Sequence, residues 1–129
     1  IISADVKKDP NYRDLLPDSD LKESLLLGTL TAGRNIAGEV PVLLVNEPIF
    51  VANGMHSDVR YNDLYPRWAY DQYRGLLAEQ AQQNSINYLD MWNAIPPEFF
   101  TDTPLHLSAD GERLFAEQLN PKLLSLVCP

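Results

Sequence analysis

Apolar residues along this chain gather into short runs with strand and helix patterns. Residues Val40 to Val45 form a continuous apolar run between turn residues, which predicts a strand buried on both faces, as in a parallel sheet. Ile86 to Asp90 predicts a second short strand, and Ile1 to Val6 predicts the tail of a third. The polar, proline-bearing segments predicted as loops are 7–17, 46–66 and 91–104.

Three segments have helical patterns. The first runs from Asp20 to Ile36 behind the candidate N-caps Asp18 and Ser19, and Gly38 breaks it. The clearest helix covers Arg67 to Gln83, where mostly apolar residues recur three and four positions apart.

A third helix follows Ser108, which is its candidate N-cap. Leu114, Phe115 and Leu119 give this helix an inward face. Pro121 predicts its end or a kink after about 12 residues, because proline lacks the N–H that a helix interior needs.

Strands and helices therefore alternate along residues 1–129, which predicts one α/β domain with a parallel sheet and right-handed crossovers. Two or three strands make a narrow sheet, and such a sheet leaves an apolar edge uncovered. We expect the chain to be the C-terminal portion of a larger domain, or to pair with another copy of itself.

Charge and cysteine content narrow the classes of partner. The formal net charge of −8 disfavours nucleic acid and anionic membrane surfaces. The single cysteine, Cys128, makes no internal disulfide and no cysteine-based metal site, and it leaves the compartment open. We expect no membrane span, because no apolar run reaches the required length.

The strongest chemical signal is an acid and a histidine in the loop before the last helix. Histidine is the side chain best suited to act as a general base near neutral pH, so His106 is the candidate base, and Asp102 is placed to orient it. The alternatives are a surface or helix-capping histidine and an aspartate that only completes a Thr-Asp-Thr-Pro turn.

Three further residues are candidate substrate contacts. Asn46 and Glu47 directly follow the Val40 to Val45 run, so they face the carboxyl edge of the sheet, where open α/β folds place their sites. The alternative is that they only end a strand before a proline-containing turn. His56 lies in a turn-like stretch and is either a substrate contact or a solvated loop residue.

These segments resemble the SGNH (GDSL-type) hydrolase family over about residues 20 to 127. The similarity runs through VPVLLVNEP, the Tyr-rich helix, INYLDMW and finally TDTPLHLSADGERLFAEQL. It implies a three-layer α/β/α fold, a triad base at His106 with Asp102 as orienter, and as substrate an acyl or acetyl ester of a small molecule, a carbohydrate or a lipid. It also allows an extracytoplasmic location, and it implies no cofactor and no metal.

The chain departs from the family pattern in three places. Asp102 and His106 are four residues apart instead of three, and Thr103 holds the usual acid position. The block that carries an oxyanion-hole Asn could only correspond to residues 2–5, where Ala4 replaces that Asn. The Gly-Asp-Ser nucleophile block is absent, so the resemblance implies a nucleophilic serine outside this chain.

Two functions of different classes follow. The first is the C-terminal part of a serine ester hydrolase or acyltransferase, in which case the chain alone is inactive on esters. The second is a non-catalytic binding or assembly module on a degenerate form of the same fold, because a fold does not carry its function with it. A flavodoxin-like or receiver-like domain is disfavoured, since no Gly-rich or clustered-acid loop follows a strand.

Overall fold

A computed structural model describes residues 2–128 as a mixed α/β structure with a two-stranded parallel sheet. The strands pair in register from Leu43 opposite Asn87 to Asn46 opposite Asp90, which confirms the predicted parallel arrangement. Two short 3₁₀ turns accompany the main elements. The elements in chain order are α1 (Gly28–Ala37), β1 (Leu43–Asn46), α2 (Arg67–Gln83), β2 (Asn87–Asp90) and α3 (Ala109–Val127).

Helix α2 is the crossover between the two strands, and it has the bounds that its periodicity predicts. Its buried face is formed by Ala69, Tyr70, Leu77 and Ala81, and the helix packs on β2. Burial of this face supplies much of the stability of such a helix, because helical propensity alone is marginal in water.

Two hydrophobic clusters are formed largely by the segments that follow the strands in the chain. One contains Val6, Phe50, Ala52, Ile95 and Phe100, and Leu114 and Phe115 of α3 pack against it. The other contains Ile49, Tyr61 and Tyr70. The loops after β1 and β2 therefore carry much of the core and are fixed by it, although they have almost no regular secondary structure.

Two predictions about the first forty residues were wrong. Residues 2–6 contain no strand; instead the Gly54 N–H donates to the Ala4 carbonyl and the Val6 N–H donates to the Met55 carbonyl. Ile1 lies outside the described residues.

The predicted helix from Asp20 to Ile36 is also shorter than expected. Leu25 has an extended backbone (φ −105°, ψ 136°), so α1 starts only at Gly28, and neither Asp18 nor Ser19 caps it. Asp18 instead has a positive φ of 72°. Gly38 ends the helix as expected, also with a positive φ.

The last helix is longer than predicted. Ser108 caps it, but α3 continues through Pro121 to Val127 over 19 residues. A proline removes one helical hydrogen bond, yet its fixed φ is compatible with a helix, so the chain continues in helical form.

The strand β1 is more exposed than expected, because its apolar run predicts a strand that is buried on both faces of the sheet. Leu43, Leu44 and Val45 are half-buried, not buried. Within residues 2–128 each strand pairs only with the other, so both outer edges of the sheet lack a strand partner. Helix α1 has no buried residue and exposes Ile36 by 87%. Within residues 2–128, no helix has the length and apolar character that a membrane span requires.

Candidate functional site

The loop that carries Asp102 and His106 is closed at its base by backbone hydrogen bonds. Phe100 and Leu107 form an isolated antiparallel bridge. The Thr101 N–H donates to the His106 carbonyl at 2.9 Å. Because the chain returns on itself here, residues four apart in sequence face each other across the loop.

Asp102 and His106 contact each other directly. Nδ1 of His106 lies 3.1 Å from Oδ1 of Asp102. An ionised carboxylate can only accept, so Nδ1 is the donor in this contact; in the neutral imidazole, Nε2 then has the free lone pair. The Thr101 hydroxyl lies 2.9 Å from the same Asp102 oxygen and 3.2 Å from the His106 carbonyl, and it can donate to either.

The side chains of Asp102 and His106 are exposed, and their contact favours the ionised form of Asp102. The Thr101 hydroxyl first, and the His106 ring second, hold the pKa of Asp102 below its ordinary value. The side chains of His106 and Asp102 are 66% and 74% exposed. Nε2 of His106 has no hydrogen-bond partner within residues 2–128, so the nitrogen that a triad needs as its base is open.

The first turn of α3 fixes the position of the loop. The Ser108 side chain accepts a hydrogen bond from the Gly111 N–H at 3.2 Å, which is an N-cap. Gly111 is buried, and a Cβ there would lie 2.9 Å from the carbonyl oxygen of Phe99. The glycine therefore allows α3 to start close against the segment that leads into the loop.

The loop lies beside the carboxyl ends of the strands. The Phe50 N–H donates to the Pro104 carbonyl at 2.8 Å, and the Ile49 N–H donates to the Trp92 carbonyl at 2.9 Å. These bonds join the segment after β1 to the segment after β2 and to the histidine loop. The site thus lies at the sheet edge where open α/β folds place their chemistry.

Asn46 holds the two strand ends together. Its buried amide nitrogen lies 2.9 Å from Asp90 Oδ1 and 3.1 Å from the Tyr70 hydroxyl. Asp90 in turn accepts from Arg74 at 2.8 Å. The amide nitrogen of Asn46 is thus engaged within the protein, while Glu47 beside it is exposed.

A cleft of about 420 Å³ opens next to these strand ends. Asn46 and Glu47 lie in its wall, and so does Leu105, the neighbour of His106. The cleft is rich in tyrosine. Its complete lining is Tyr12, Leu21, Leu25, Val45, Asn46, Glu47, Ile49, Tyr65, Ala69, Tyr70, Tyr73 and Leu105.

The outer wall of the cleft is a segment that we call the strap, residues 9–25. Trp68 of α2 donates from Nε1 to the Pro10 carbonyl at 2.6 Å. Gln72 of α2 donates to the Ser19 carbonyl at 3.0 Å and accepts from the Leu21 N–H. The strap therefore follows α2 without regular secondary structure over most of its length.

Arg60 fixes the start of the strap from the other side. It is 5% exposed, and its guanidinium donates to the carbonyls of Asp9 at 2.8 Å and Asn11 at 3.1 Å. Sequence reasoning missed Arg60, and it assigned Trp68 and Gln72 only to a helix face. A polar Gln on an otherwise apolar face is the signal that could have indicated a tertiary hydrogen bond.

His56 lies apart from the cleft. It has a positive φ of 60°, and its carbonyl accepts from the N–H groups of Val59 and Arg60. It is not in the cleft lining, whereas Asn46 and Glu47 are. The structure thus brings together Asn46 and Glu47, places the Asp102–His106 loop beside them, and leaves His56 in a separate turn.

Neither a nucleophile nor a metal-binding cluster is evident in the part of the chain that the structure describes. No hydroxyl or thiol of residues 2–128 hydrogen-bonds to the His106 ring. No group of three or more His, Cys, Asp or Glu among these residues could hold a metal ion. Comparison with family models, curated proteins and solved structures found no match for this chain.

Proposed function

We propose that this chain supplies the base and orienter half of an SGNH-like serine ester hydrolase or acyltransferase, whose nucleophilic serine lies outside it. The observation that carries the proposal is the 3.1 Å contact between His106 Nδ1 and Asp102 Oδ1, with Nε2 open. The position of this pair before a capped helix, beside the ends of two parallel strands, supports the same function.

Each residue has a defined role in this proposal. Nε2 of His106 takes the proton of the serine hydroxyl as its oxygen bonds to the acyl carbon of the ester. Asp102 stabilises the imidazolium that results. The imidazolium then gives its proton to the departing alkoxide, and the acyl group stays on serine until water or a second alcohol takes it.

The proposed fold extends the two-stranded sheet into a three-layer α/β/α domain. Both outer edges of the sheet lack a strand partner within residues 2–128, and helix α1 buries no residue. These two observations support the presence of further strands and helices packed against the sheet. In this proposal those strands come from the remaining half of the domain or from another copy of the chain, and one of them ends at the serine.

The test is labelling with a fluorophosphonate, a probe that reacts with activated serines, followed by peptide mass spectrometry. We expect the whole gene product to be labelled on a serine outside residues 1–129, and the His106→Ala variant to lose at least about 100-fold of the labelling rate. Asp102→Asn should also slow labelling. Asp110→Asn is the matched control, because Asp110 is a similarly exposed carboxylate paired with a cation, Arg113, at 2.9 Å.

A second arm uses the chain alone, which we expect to be inactive on a simple acetyl ester. Turnover by the pure chain that disappears in His106→Ala would show that the nucleophile lies within it. A whole gene product that takes no label would favour the second candidate, a non-catalytic binding module. The observation that favours this candidate is the lack, among residues 2–128, of any hydroxyl bonded to the His106 ring.

A further inference from the structure

The tyrosine-lined cleft has a charge and surface composition that the proposed chemistry does not use. Tyr12, Tyr65, Tyr70 and Tyr73 contribute to its wall, and among the described residues Glu47 is the only charged one in the lining. Glu47 forms no ion pair with any other residue in the range 2–128. The cleft lining thus combines aromatic rings with one carboxylate, and the guanidinium of Arg13, 5.6 Å from the Tyr12 ring centroid, lies outside this lining.

The rings form a continuous aromatic cluster, in which Tyr70 is buried and Tyr65 and Tyr73 are partly exposed. The ring centroids of Tyr65 and Tyr70 are 5.0 Å apart, and those of Tyr70 and Tyr73 are 5.8 Å apart. Burial is the first cause that raises the pKa of both Tyr70 and Tyr73, so their phenols stay neutral at physiological pH. Neutral phenol rings attract cations to their faces through the ring quadrupole.

Negative charge near the cleft has two sources. After burial, Asp90 and Glu47 both raise the pKa of Tyr73 further, which reflects the negative field at this ring. The Asp90 charge is compensated by Arg74 at 2.8 Å, so Glu47 provides the free charge. This field disfavours a carboxylate or phosphate ligand and favours a cation.

Charge, and not hydrogen-bonding capacity, separates a cation from a neutral polar ligand in this cleft. The amide nitrogen of Asn46 is engaged with Asp90 and Tyr70, whereas the hydroxyls of Tyr12, Tyr65 and Tyr73 form no hydrogen bond within residues 2–128. A quaternary ammonium group needs no hydrogen bond and is recognised by aromatic faces and a nearby carboxylate.

We propose that the cleft binds a quaternary alkylammonium group, held by the tyrosine rings and Glu47. Its volume of about 420 Å³ falls within the usual range for small-ligand sites. Leu105 connects the cleft to the histidine loop. In the proposed hydrolase, the cation would be the head group of the ester substrate. This assignment, unlike the cation site itself, rests on the proposed function.

The experiment is a titration of the chain with tetramethylammonium chloride, followed by two-dimensional amide NMR at constant ionic strength. We expect saturable shifts at Glu47, Tyr12 and Tyr73, with a Kd on the order of 1 mM for so small a probe. Tert-butanol, a neutral molecule of similar shape, should bind at least about fivefold more weakly, because it lacks the charge.

Point variants distinguish the contribution of the Glu47 charge to binding from that of the tyrosine rings. Glu47→Gln should weaken binding about fivefold, whereas Glu79→Gln on the exposed side of α2 should not change it. Tyr12→Leu should weaken binding by a similar factor, and Tyr12→Phe, which keeps the ring, should retain it.

Equal affinity for tert-butanol, unchanged affinity in Glu47→Gln or the absence of saturable shifts would each overturn the proposal. These readouts need no ester chemistry. Binding of tetramethylammonium together with no fluorophosphonate labelling of the gene product would reject only the hydrolase function. Labelling without such binding would reject only the cation site.

Discussion

At the residue scale, the Asp102–His106 pair depends on a third residue. The Thr101 hydroxyl lies 2.9 Å from the Asp102 oxygen that also accepts from His106, and it is the first cause of the lowered Asp102 pKa. Because the pKa is lowered, any contribution of this ionisation to stability is present above the ordinary aspartate pKa. It is lost as the pH falls through the lowered pKa.

We therefore predict that Thr101→Val raises the pKa of Asp102 towards its ordinary value, because the variant keeps the shape of threonine and removes its hydroxyl. The pKa is measured by NMR titration of the Asp102 carboxyl carbon. Thr29→Val, at an exposed position of α1, is the control and should leave this titration unchanged, because the Thr29 hydroxyl bonds only to the Leu26 carbonyl. The same midpoint in both variants would show that Thr101 does not stabilise the carboxylate.

At the element scale, the start of α3 is fixed by how closely the helix approaches the segment before the histidine loop. A Cβ at Gly111 would lie 2.9 Å from Phe99 O and 3.2 Å from Leu107 Cβ. In contrast, Gly75 in α2 has open space around the position of a Cβ. Two helical glycines therefore have opposite structural roles.

Gly111→Ala should destabilise the protein by about 1–3 kcal/mol, because the added methyl group has no room. Gly75→Ala, its matched control, should stabilise the protein by about 0.5–1 kcal/mol through the better helix propensity of alanine. Chemical denaturation gives both free energies of unfolding. Changes of the same sign in the two variants would contradict the close packing of α3.

At the scale of the whole molecule, the described chain leaves much apolar surface uncovered. Leu26, just before α1, and Ile36 within it are exposed by 83% and 87%, and β1 and β2 form a sheet of only two strands within residues 2–128. Large exposed apolar surfaces in proteins usually mark contacts with other chains or domains. The chain is therefore expected to associate.

We predict concentration-dependent association of the purified chain in sedimentation velocity. The double variant Leu26→Glu and Ile36→Glu should shift the distribution towards the monomer without lowering the unfolding free energy, because both side chains are exposed and α1 buries no residue. The double variant Thr29→Glu and Asn35→Glu adds the same charge at exposed polar positions of α1 and is the control. A monomer at every concentration tested would contradict the prediction.

Local sequence patterns determined the elements that interact mainly with their neighbours in the chain. The bounds of α2 and the Ser108 cap agree with predictions from periodicity and capping chemistry. The parallel pairing of the strands is not local, but it agrees with the prediction from the order of the elements. The Asp102–His106 contact also follows from proximity in sequence, since four residues in a closed loop can face each other. The catalytic role of this pair stays a prediction.

Features that depend on distant residues were decided only by the tertiary structure. The strap is held by hydrogen bonds from Arg60, Trp68 and Gln72 to backbone groups about fifty residues away. A local pattern can indicate that Gln72 has a tertiary partner, but it does not identify that partner. The same contacts build the tyrosine cleft. They also keep residues 20–25 out of the α-helix that their composition predicts, apart from a 3₁₀ turn at Lys22–Ser24, because a buried Leu21 bonded to Gln72 outweighs a weak helical propensity.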